Sequence, residues 1–101
     1  DLFHPSPHPT FVYDAESLRI LAVNDRAVDR YGFSRDEFLT MTMIELQRGQ
    51  VALRPDASLS RRLQQHVSRN GGLLNVEVAA AAIEYDGRPA TMMVASILPQ
   101  S

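Results

Sequence analysis

The chain has 101 residues, 10 Lys and Arg against 12 Asp and Glu, a net charge of −2 and no cysteine. That length supports one domain with one core, burying about two thirds of its unfolded surface, and the missing cysteines exclude disulfides, thiolate metal sites and thiol chemistry. The mild negative charge argues against a dedicated nucleic-acid binder. With no secretory signal and no long apolar run, a cytoplasmic domain without membrane contact is expected, and the start at Asp1 is expected of a piece of a longer protein.

Residues 1–9 contain His4-Pro5-Ser6-Pro7-His8-Pro9. Prolines remove backbone donors and clash with a preceding turn, so this stretch reads as an extended lead-in. The domain proper is expected over 10–99, with 100–101 beginning a linker to a further domain. Thr10-Phe11-Val12-Tyr13 is β-branched and aromatic and predicts a strand. Asp14 to Ser17 is a turn, and Arg19 to Val23 a second strand.

Asn24 is placed to cap a helix whose Ala27, Val28 and Tyr31 share one side. Gly32 suits the left-handed position that ends it. Ser34-Arg35-Asp36-Glu37 is a capping box, with Phe33 as its hydrophobic staple, and Thr42 to Glu45 repeats the capping pattern. Residues 47–60 predict a loop with at most one short helix near Ala57. Arg62 to Ser68 fits helix or strand. Asn70-Gly71-Gly72 and Asp86-Gly87 are hairpin turns that bracket a strand over Leu74 to Tyr85, and a last strand runs from Ala90 to Leu98. Strands at both ends with helices between them predict an α+β fold with an antiparallel sheet.

In this order the pieces resemble a PAS domain, the sensory module of bacterial histidine kinases and cyclic-dinucleotide enzymes. The resemblance rests on Ser6-Pro7-His8-Pro9 ahead of Phe11-Val12-Tyr13-Asp14, on Ile20 to Asn24, on Tyr31 to Leu39 and on Met41 to Ile44. It continues through Asn70-Gly71-Gly72, Val76-Glu77-Val78 and Tyr85 to Ala90. It implies five antiparallel strands with short helices packed on one face and a ligand pocket between the two layers. It also implies a homodimer and a downstream effector domain in the same chain. The chain departs from the pattern at Ser96-Ile97-Leu98-Pro99, where relatives often carry Asp-Ile-Thr, and between Leu46 and Arg61, where relatives place a longer helix.

No Ser/His/Asp pattern, phosphate loop or nucleotide fingerprint is present, and turn duty accounts for Asp14 and Glu16, so no catalytic residue is assigned. His66 has two readings: a pocket histidine that hydrogen-bonds a carboxylate or carbonyl ligand, or a half-exposed residue on the solvent face. Tyr31, Met43, Leu46, Met92 and Met93 are the other pocket candidates, although alternation lets only one of Met92 and Met93 face inward; core filling by the methionines, Met41 included, is the competing reading. No cofactor is evident. Haem lacks an axial histidine where haem-binding relatives carry one, and a cysteinyl-flavin adduct is excluded. His4 and His8 read as an exposed linker rather than a metal site. The small apolar residues Ala79, Ala81 and Ile83 share one strand face. That face would pack a second protomer or a flanking helix, unless Leu2 and Phe3 fold back to cover it. Arg61, Arg62 and Arg69 read as a solvated basic edge. Three functions follow: a ligand-relaying sensory module, a dimerisation-only domain with a filled core, or a small α+β cavity enzyme.

Overall fold

The computed structural model describes residues 7–48 and 62–98, without the side chains of Arg48 and Arg62. Leu2, Phe3, His4, Arg61 and the short helix expected near Ala57 lie outside the described residues. In chain order the elements are β1 (Thr10–Asp14), β2 (Ile20–Val23), α1 (Asp25–Tyr31), α2 (Arg35–Phe38), α3 (Met43–Leu46), β3 (Gln47–Arg48), β4 (Arg62–Val67), β5 (Leu73–Tyr85) and β6 (Arg88–Ile97). The strands form one antiparallel sheet in the order β2-β1-β6-β5-β4-β3.

Five of these strands were expected. The sixth, β3, corrects the loop reading of residues 47 and 48: Gln47 and Arg48 pair with His66 and Gln65. Two residues are too few to carry a periodic signal. Arg62–Val67 resolves as a strand because both its neighbours supply a ladder partner.

The helix boundaries follow from capping chemistry. Asn24 Oδ1 accepts from the Ala27 amide, and Gly32, at φ 87°, closes α1 with its amide on the Val28 carbonyl. A side chain at that φ would crowd the backbone. Ser34 and Glu37 form the reciprocal capping box, and the rings of Phe33 and Phe38 staple it at 5.3 Å. Thr42 departs from the pattern. Its side chain makes no cap bond, because the Glu45 amide donates to the Thr42 carbonyl and the Met43 amide to Leu18. Asp86 and Gly87, at φ 55° and 79°, make the two-residue turn that joins β5 to β6; positive φ at both positions matches the twist of the strands.

The helices cover one sheet face. Phe11, Tyr31 and Phe38 meet there edge to face, with Phe11 5.2 Å from Tyr31 and 5.7 Å from Phe38. Tyr13, Ile20, Val23, Ala27, Met43, Leu46, Val76, Val78, Met93 and Ala95 complete this core.

Candidate ligand site

Tyr31 is the last residue of α1, and the Asn24 cap fixes the helix register that turns its ring onto the sheet. On β4, alternation sends Gln64 and His66 into the core and Leu63, Gln65 and Val67 outward. His66 is fully buried. Its Nδ1 lies 2.5 Å from the Tyr31 hydroxyl and its Nε2 2.9 Å from Gln64 Oε1. These partners assign the tautomer. An amide oxygen only accepts, so Nε2 carries the proton and Nδ1 accepts from the Tyr31 O–H. Burial pushes His66 down to about 4 and the Tyr31 phenol upward, so both groups are neutral near pH 7.

The polar chain runs from Tyr31 through His66 to Gln64 and ends on a bare donor. Among the described residues, Gln64 Nε2 is buried without a partner, and so is Gln47 Nε2. Gln47 stands opposite His66 in the β3–β4 register, so it shares the core face with Gln64 and His66.

Of the expected pocket residues, Tyr31, Met43, Leu46 and Met93 are buried in the same core, beside His66. Two readings are corrected. His66 does not lie half-exposed on the solvent face. Met92 does not line the core, because it pairs with Val12 and Ala81 on the opposite sheet face, as alternation from Met93 requires. Gln47 and Gln64 were missed as site residues. The signal for Gln64 was an inverted pattern: in Leu63-Gln64-Gln65-His66-Val67 both core-facing residues, Gln64 and His66, are polar, while the apolar Leu63 and Val67 face out. Asp14 does the turn duty expected of it, accepting from the Glu16 and Ser17 amides at 2.8 and 3.0 Å. Those amides, with Arg88, hold its carboxyl below the usual range. Arg69 is not merely solvated: its guanidinium pairs with Glu37.

No family model and no curated protein matches the chain. Solved structures do. The PAS domain of an HTR-like protein from Haloarcula marismortui superposes with a TM-score of 0.82 at 20% identity, over 96% of this chain and 86% of that one. A PAS domain from a two-component sensor histidine kinase gives 0.81 at 18%, over 96% and 90%. A domain of a sensory box sensor histidine kinase/response regulator from Geobacter sulfurreducens gives 0.71 at 27%, over 92% and 86%. The chain has the PAS fold.

In this PAS sheet the core face carries the Tyr31–His66–Gln64 chain, and the outer face is apolar over β2, β1, β6 and the second half of β5 but carries Glu77, Asn75 and Gln65 towards β4. The register lines up Ala22, Val12, Met92 and Ala81 across four strands, and places Ala79 beside Val94 and Ile83 beside Ala90. Leu63 and Leu73, 72% and 47% exposed, lie on the same face. Among the described residues, no group of three or more His, Cys, Asp or Glu could hold a metal ion, and no helix is long and apolar enough to cross a membrane.

Proposed function

We propose that this PAS domain is a sensory and interaction module of a larger bacterial signalling protein, a sensor histidine kinase or a cyclic-dinucleotide enzyme. Residues 10–99 form the module, 1–9 lead into it and 100–101 begin the connection to an effector domain. It works in the cytoplasm, binds rather than catalyses, and relays ligand or partner binding through a homodimer. Tyr31, Met43, Leu46, His66 and Met93 form the sensing side, and Ala79, Ala81 and Ile83 the dimer side.

The observation that carries this reading is the apolar row across the outer sheet face, Ala22, Val12, Met92 and Ala81, flanked by Ala79 and Ile83, in which Ala81 is exposed and Met92 and Ile83 are partly so. Exposed apolar area of this kind favours association, and a two-fold dimer sets the face against its own copy. A bias between two packings of sheet and helices then reaches both protomers at once. Light scattering tests this. The wild-type chain is expected at the dimer mass and Ile83→Glu at the monomer mass; a wild-type monomer, or a dimer indifferent to the substitution, overturns the reading.

Complete burial of Met43, Leu46 and Met93 favours a second reading, a dimerisation-only domain with a filled core. Native against denaturing mass spectrometry separates the two, since only the sensing form retains a non-covalent mass.

A further inference from the structure

Four polar side chains meet on the core face: Tyr31, His66, Gln64 and Gln47. The first two bonds of the chain are complete, at 2.5 and 2.9 Å, and the Gln64 and Gln47 amide nitrogens have no partner. Gln64 is only 5% exposed. A buried donor without an acceptor is costly and seldom left so. An apolar residue at 47 would remove that cost, and at 64 the acceptor oxygen alone serves His66, so two orphaned amides on one face point to an acceptor that arrives from outside.

The register brings both amides within reach of one acceptor. Gln47 faces His66 directly, and Gln64 is two residues from His66 on the same strand. Diagonal neighbours of this kind stand about 7–8 Å apart, a gap that two glutamine side chains can close from either side. A carbonyl oxygen has two lone pairs and can accept one N–H from each amide.

Charge narrows the class. The buried polar residues of the described core are Thr10, Asn24, Gln64 and His66, with no Arg or Lys among them. His66 is held neutral. A carboxylate here would sit in the interior without a counter-charge, which burial penalises heavily; a neutral carbonyl carries no such penalty.

We propose that Gln47 and Gln64 form a donor pair for the carbonyl oxygen of a neutral amide-like or ketone-like ligand, with the Tyr31–His66 pair fixing the orientation of Gln64. The inference rests on the sensory reading above, and names the ligand class of its pocket.

The test uses two probes that share a ring and differ in charge, benzamide and benzoate, titrated into the ¹⁵N-labelled 101-residue chain. NMR follows the side-chain NH₂ signals of Gln47 and Gln64. Benzamide is expected to shift both signals saturably and benzoate to leave them unmoved. Gln47→Met, close in shape and without the donor, leaves the His66–Gln64 bond intact and should weaken benzamide by about three- to tenfold, the loss of one hydrogen bond. Gln64→Met, which also strips the His66 Nε2–H of its acceptor, should weaken it by more and provides the test from the second strand if Gln47→Met does not fold. No saturable shift with benzamide, an equal response to benzoate, or full affinity in a folded methionine variant overturns the proposal. Dimer mass is unaffected by any of these results, so failure here and failure of the sensory reading are told apart.

Discussion

The hydroxyl of Tyr31 donates to Nδ1 of His66 across 2.5 Å, joining the last residue of α1 to the C-terminal end of β4. A helix end and a strand are thus tied by one imidazole that has to remain neutral to accept. The neutral state is built in by burial, and it makes stability depend on pH in a definite direction.

Unfolded, His66 titrates at its ordinary value of 6.5; folded, it is pushed down to about 4. Between these values the unfolded chain holds more protons, so stability is complete above pH 6.5 and falls as pH drops towards 4. The full effect is on the order of 3 kcal/mol. Urea unfolding of the wild type at pH 7, 6 and 5 should show this decline, and His66→Leu should flatten it. Asp14 and Glu37, whose folded values are lowered, add their own losses only as pH falls through the carboxylate range. The interval from pH 6.5 to 5 therefore reports His66. An unchanged slope in His66→Leu would refute the assignment.

Asn24 does more than cap a helix. Its Oδ1 also accepts from the Thr10 amide at 3.0 Å, and its Nδ2 donates to the His8 carbonyl at 2.9 Å. Asn24→Ala should cost about 1 kcal/mol for the cap and a further 1–3 kcal/mol for the buried Thr10 donor it strands. Asn24→Asp keeps the acceptor and should lie between the two in denaturant midpoint. A loss no greater than that of a simple cap would show that the Thr10 bond contributes nothing.

Met92 and Met93 are adjacent in sequence and opposite in role. Met93 is fully buried in the core, so Met93→Ala should destabilise by roughly 2–5 kcal/mol through lost burial and a cavity. Met92→Ala should cost far less in stability and should weaken the dimer. Thermal melts and light scattering on the two variants check both halves. Equal destabilisation would contradict the register of β6.

Gly32 sits at φ 87°, and a methyl there would lie 3.4 Å from Arg69 Cβ, close to ordinary contact. The penalty of Gly32→Ala is therefore conformational, about 1–2 kcal/mol. Gly32→Asn should cost less, because asparagine tolerates the left-handed region. If both variants lose stability equally, the crowding at Arg69 rather than φ sets the cost.

Much of this was legible in the order of the residues. Asn24, Gly32, Ser34 and Glu37 fixed the first two helices because each satisfies backbone groups locally, and Asp86-Gly87 fixed a turn for the same reason. What escaped was non-local. β3 exists only because β4 lies beside it. The site was half visible. Tyr31, Met43 and Leu46 were named and lie in the core, but alternation required one of Met92 and Met93 to face inward without saying which, and His66 had two readings until both faces of β4 were known. The orphaned amide of Gln47 became apparent only with the β3–β4 register.

The first and last long strands, β1 and β6, are neighbours in the middle of the sheet and run antiparallel, with Thr10 beside Val94 and the Ala95 amide on the Pro9 carbonyl at 2.8 Å. The polypeptide therefore arrives and departs at the same corner, where Pro7, His8, Pro9, Arg26, Arg30 and Ile97 border an open cleft. A displacement of residues 7–9 is therefore expected to reach residues 95–97 through the sheet itself, without crossing the helices, and the first turn of α1 through the His8–Asn24 bond.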